Sequence, residues 1–79
     1  LIIQVLAYQG GITMKCIING DTFSFDHEQS IHDVLTSLEL DPTRVIVEFN
    51  KALIKQDAYH EHTVREDDRL ELLEIVGGG

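Results

Sequence analysis

The chain has 79 residues, a net charge of -8 and a single cysteine. That length holds one domain, and a domain so small buries only about 60% of its unfolded surface, which leaves little room for both a core and a deep catalytic cleft. The six Lys and Arg are spread thinly, which argues against nucleic acid or an anionic membrane as partner and for a basic protein surface; with Cys16 alone no disulfide framework exists, and a reducing, cytoplasmic setting fits.

Leu1 to Thr13 reads LIIQVLAYQGGIT and carries no charge. It is too short to span a membrane and lacks the basic leader and cleavage motif of a signal peptide. Residues 1–13 are expected to be a non-native or disordered extension, with Met14 as the natural start. The alternative is an added strand that pairs with an exposed sheet edge. Residues 14–79 form the domain.

Lys15 to Asn19 is a short β-rich run, and Asn19-Gly20 is a hairpin signal because both residues tolerate positive φ. Thr22 to Asp26 follows, with Phe23 and Phe25 alternating with polar residues as in a half-buried strand. Cys16 lies in the apolar run Met14, Cys16, Ile18 and is expected in the core; a reactive thiol would need exposure and positive neighbours.

Ser30 reads as a helix N-cap, with Asp33 in the capping-box position. Ile31, Val34, Leu35 and Leu38 fall on one helical face. Asp41-Pro42 is expected to end a helix of about three turns. Arg44 to Phe49, RVIVEF, is the next strand, followed by a turn at Asn50. Leu53-Ile54 makes a short strand. Gln56 to His62 is polar, irregular or a single helical turn. Glu66-Asp67-Asp68 marks a further turn, and Leu70 to Val76 is the last strand. The order ββαββ predicts an α+β domain of the β-grasp (ubiquitin-like) layout, a mixed sheet of four to five strands packed on one helix.

Strand parity divides the sheet faces. Met14, Cys16, Ile18, Phe23, Phe25, Val45, Val47, Phe49, Leu70 and Leu72 are expected beneath the helix. The other face carries Lys15, Ile17, Ile46, Glu48, Glu71, Leu73 and Ile75. A water-facing sheet surface is normally polar; the apolar members here, with Val76 and Gly77 beyond them, form a candidate partner-docking surface.

His60-Glu61-His62 invites a metal reading, but no third or fourth ligand stands at metal-site spacing. His27 and His32 read as solvated. No nucleophilic triad can be argued, and no phosphate loop is present because the glycine cluster precedes no helix.

Gly77-Gly78-Gly79 ends the chain. A glycine tail is thin and free in φ and ψ. Extended, three residues reach about 10 Å, enough to carry a terminal carboxylate into another enzyme's pocket. Such a carboxylate is unreactive until activated, for instance as an acyl-adenylate, after which a sulfur donor can turn it into a thiocarboxylate.

From Met14 to Gly79 the sequence resembles the ThiS family of thiamine-biosynthesis sulfur carriers. The resemblance rests on the start MKCIINGD, the centre VIVEFNKALI and the end LELLEIVGGG. It implies a carrier rather than an enzyme, with Gly79 as the site of adenylation and thiocarboxylate formation and Gly78 as its functional neighbour. It implies no bound cofactor, ATP being used by the activating enzyme. The implied partners are a ThiF-type adenylyltransferase, a sulfurtransferase or cysteine desulfurase, and the thiazole synthase ThiG. Asp67-Asp68 departs from the Gly-Asp of many relatives before the last strand. Three alternatives stay open: the small subunit of molybdopterin synthase, whose usual prolines before the tail are missing from Leu73-Glu74-Ile75-Val76, a ubiquitin-like protein modifier, and a plain β-grasp interaction module with an inert tail.

Overall fold

The computed structural model describes residues 13–77. The extension at 1–13 lies outside that range except for Thr13, as do Gly78 and Gly79.

Two tight hairpins frame the sheet. β1 (Met14–Ile18) and β2 (Asp21–Phe25) pair antiparallel, Cys16 opposite Phe23. The turn between them holds Asn19 at φ +50° and Gly20 at +88°, the doubly positive geometry that matches strand twist. β4 (Val45–Phe49) and β5 (Ala52–Ile54) form the second hairpin, with Asn50 at +51° and Lys51 at +73°. Between the hairpins lie the two-residue β3 (Gln29–Ser30) and α1 (Ile31–Ser37). β6 (Thr63–Val64) and β7 (Arg69–Glu74) complete the chain. The main sheet has the order β2-β1-β7-β4-β5, with β1 and β7 parallel and the other neighbours antiparallel; β3 and β6 make a separate two-stranded ladder. One helix on a mixed five-stranded sheet is the expected β-grasp.

The parity reading holds at each position. Met14, Cys16, Ile18, Val45, Val47 and Leu70 are buried beside Ile31, Val34 and Leu35 of the helix, and Phe23, Phe25, Phe49 and Leu72 pack against that cluster. Two core members escaped the sequence reading. Tyr59 is buried and its hydroxyl donates to the Val45 carbonyl at 2.6 Å, while Val64 is fully buried on β6.

The helix is shorter than expected, seven residues against about three turns. It starts as predicted, with the Asp33 amide donating to Ser30 Oγ at 3.0 Å. It ends before Asp41-Pro42 in a Schellman turn: Leu40 N–H donates to the Leu35 carbonyl, Glu39 N–H to that of Thr36, and Glu39 takes φ +63°. That closure satisfies the last carbonyls and folds Leu40 back onto the core. Asp41-Pro42 instead opens a 3-10 turn, Pro42–Arg44, that launches β4.

Glu39 and Asp67 (φ +69°) are exposed non-glycine residues in the left-handed region, where L side chains are strained and glycine is not. Glu39→Gly and Asp67→Gly should each therefore stabilise the domain by about 0.5–1 kcal/mol. Thermal melts should show gains of roughly 2–8 °C apiece in a domain of this size; a lower melting temperature for either would contradict the turn assignments.

Candidate carrier tail and docking face

The tail leaves the sheet from β7 alongside the start of β4. Antiparallel pairing runs from Phe49–Leu70 to Val45–Glu74 and continues one step further, where Ile75 N–H donates to the Arg44 carbonyl at 2.7 Å. The Arg44 guanidinium then reaches two tail carbonyls, Nε to Ile75 at 3.4 Å and Nη2 to Gly77 at 3.3 Å. Gly77 sits at φ +71°, and a Cβ built there would meet nothing within 4 Å. Glycine is therefore favoured at this kink by its backbone angle rather than by space.

The turn that aims Arg44 is itself pinned. The Asp41 carboxylate accepts from the Thr43 amide at 2.9 Å and the Thr43 hydroxyl at 2.7 Å, and these bonds hold its carboxyl below the ordinary aspartate range. Arg44 N–H donates to the Asp41 carbonyl at 2.9 Å. Tyr59 fixes the next residue by its bond to Val45.

The outer sheet face is arranged in rows. Ile46 stands opposite Leu73, and Glu48 stands opposite both Glu71 and Leu53. Ile17 stands opposite Thr22 and Arg69. Ile46 is 41% exposed, Leu73 62%, Ile75 49%, Val76 76% and Leu53 71%. Ile46, Leu53 and Ile75 line one shallow groove; Ile46, Leu53 and Leu73 line the next with Glu48 and Glu71. The structure thus brings Ile46, Leu73 and Ile75 together and carries Val76 and Gly77 off their edge. Ile17 is half-buried and stands apart, on the far side of the Glu48–Glu71 row.

Three features of this face were missed in the sequence. Leu53 belongs to the patch, although the sequence marks only a short strand there and no face. Arg44 was read as a strand residue, and its role depends on partners 31 and 33 positions away, a separation no local pattern reports. Strand parity puts Glu48 and Glu71 on this face one at a time, and only the register between strands sets them opposite each other. Directly opposed like charges destabilise a sheet, and among the described residues no cation lies within ion-pair distance of either.

Elsewhere, burial first, then the Asp68 and Glu66 carboxylates, push the Cys16 thiol above its ordinary range, so it is a core residue and a poor nucleophile. His32 and His60 stack with ring centroids 3.9 Å apart, and His62 lies edge-on to Phe49. No group of three or more His, Cys, Asp or Glu among the described residues is placed to hold a metal ion. Among those residues no helix is long and apolar enough to cross a membrane.

The described residues form a β-grasp domain whose last strand, ending at Glu74, is followed by Ile75, Val76 and the glycine run. Comparison with known proteins identifies the family. The ThiS family model matches residues 15–79, and the chain belongs to that family. The sulfur carrier protein ThiS of Bacillus subtilis is 42% identical over 50 residues, covering 63% of this chain and 76% of that protein. A thiazole synthase of Paramagnetospirillum magneticum is 32% identical over 66 residues, 84% of this chain. The chain spans only 20% of that enzyme's length. The crystal structure of the thiamine biosynthesis protein ThiS from Geobacter metallireducens superposes with a TM-score of 0.72 at 28% identity, covering 84% of this chain and all of that one.

Proposed function

We propose that the chain carries sulfur on the carboxyl group of Gly79 for thiazole formation in thiamine biosynthesis. A ThiF-type enzyme joins the Gly79 carboxylate to the α-phosphate of ATP and releases pyrophosphate. A persulfide on a sulfurtransferase or cysteine desulfurase displaces AMP to form an acyl disulfide, and a second thiol attacks the donor enzyme's sulfur of that S–S bond, forming a disulfide with it and releasing the thiocarboxylate. The thiazole synthase ThiG accepts that sulfur. Gly78 and Gly77 keep the tail narrow enough to enter each enzyme's channel.

The observation that carries the proposal is the family match, which extends through the glycine tail to residue 79. Relatives named thiazole synthase contain a segment like this chain as a fifth of their length; a carrier joined to its acceptor enzyme would give that arrangement.

The docking surface is assigned to Ile46, Leu53, Leu73 and Ile75, with Val76 and Gly77 leading away from it. Ile17, set apart by the Glu48–Glu71 row, contributes at the rim. The net charge of -8 and the unpaired carboxylates favour a partner surface with basic groups around an apolar centre. Ile46→Asp and Leu73→Asp test this assignment. Both side chains are exposed, so each variant should lose about 1 kcal/mol or less of stability. Each should weaken binding to the adenylating enzyme and to the thiazole synthase about tenfold or more, as truncation of a buried interface anchor does. Calorimetric titration showing unchanged affinity for both enzymes would place the docking surface elsewhere.

A further inference from the structure

Arg44 is fully polar in function yet makes no ion pair with any described carboxylate. Its fork is spent on two carbonyls of the tail, those of Ile75 and Gly77. Its own carbonyl takes the Ile75 amide, so one residue contacts the tail at three points on both sides of Val76. Its backbone is fixed in turn by the Asp41–Thr43 cap and the Arg44 N–H bond to Asp41. Arginine suits the task because its planar fork can donate to two acceptors at once, whereas a lysine ammonium is a point charge on a flexible stem.

We propose that Arg44 is a positioning residue for the carrier tail: it fixes where the tail leaves the sheet and so limits the volume that the terminal carboxylate searches before it enters an enzyme's channel. The proposal rests on the sulfur-carrier reading for its kinetic consequence and on the free protein alone for its structural one. An unlatched tail must lose the freedom of Val76 and Gly77 on binding, and ordering a flexible segment weakens association. The chemical step is untouched, because Arg44 contacts carbonyls before the reacting carboxyl and not the carboxyl itself. Loss of the latch therefore raises KM and spares kcat.

The test compares wild type, Arg44→Ala, Arg44→Lys and the control Arg65→Ala, whose side chain makes only an exposed pair with Glu28 at 3.7 Å. Backbone nitrogen-15 relaxation on the free proteins should show the Val76 and Gly77 order parameters falling below about 0.6 in both Arg44 variants, with Arg65→Ala matching wild type. Pyrophosphate exchange with a ThiF-type enzyme should show KM for the carrier raised about three- to tenfold in both Arg44 variants, with kcat within about twofold. Tail order parameters equal to wild type in Arg44→Ala would overturn the proposal, as would full recovery of KM by lysine. If wild type itself supports no exchange, the sulfur-carrier reading fails while the relaxation data still decide whether Arg44 holds the tail.

Discussion

A single residue added after Gly79 is expected to abolish adenylation and sulfur loading while leaving the fold intact. The extra residue converts the Gly79 carboxylate into an amide. An amide offers no anionic oxygen to attack the α-phosphate of ATP, and the new terminal carboxylate stands one residue, about 3.5 Å, beyond the position that Gly79 would present, so no acyl-adenylate forms on Gly79. The fold should not register the change, because β7 ends at Glu74 and Ile75 and Val76 after it are exposed and outside the core cluster. The unfolding free energy should stay within the roughly ±0.5 kcal/mol typical of surface changes. The same residue added at the N-terminus should leave loading unaffected. Sulfur loading that survives the C-terminal addition would remove Gly79 from the chemistry.

Tyr59→Ala is expected to be the most damaging single substitution away from the helix and main sheet, costing about 3–5 kcal/mol as a large buried ring is removed. A domain of this size has little more than the lower end of the usual 5–15 kcal/mol to lose, so the variant should be largely unfolded at physiological temperature. Tyr59 is 2% exposed. It sits where the chain after β5 closes over the sheet, with the Tyr59 carbonyl accepting from His32 N–H at 3.1 Å and the hydroxyl bonded to Val45. Tyr59→Phe separates packing from hydrogen bonding. It keeps the ring and removes one buried bond, for a cost of about 1–3 kcal/mol. Denaturant melts should rank wild type above Tyr59→Phe and Tyr59→Ala last; an alanine variant within 1 kcal/mol of wild type would mean that the ring is not part of the core.

Tyr59 also shows where the sequence stops being legible. Strands with period-two alternation gave their faces away: Phe23 and Phe25, Val45 and Val47, Leu70 and Leu72 all point as parity requires. The N-cap at Ser30 was visible because its signal is local. Tyr59 and Val64 stand in polar surroundings with no period, and only the closing of the chain over the helix start buries them. The helix end is hidden in the sequence for a related reason. Glu39 adopts a left-handed angle that glycine or asparagine would have announced, so Pro42 was the nearest visible stop.

Asn19 was readable as a turn residue but does more. Its side chain accepts from Leu72 N–H at 2.7 Å and donates to the Leu72 carbonyl at 3.1 Å. It thereby extends the β1–β7 pairing beyond the end of β1, a contact across 53 positions. Of the tail site, the glycines and the apolar face could be read from residue types and parity. The Arg44 clasp and the opposed Glu48 and Glu71 needed the register between strands, which no single strand encodes.

If the terminal carboxyl group bears sulfur, the intact mass of the chain should change after incubation with ATP, a ThiF-type activating enzyme and a sulfur source. A gain equal to one oxygen-for-sulfur exchange is expected, absent when Gly79 is deleted. An unchanged mass, with an activating enzyme shown to load another carrier under the same conditions, would contradict sulfur loading at that carboxyl group.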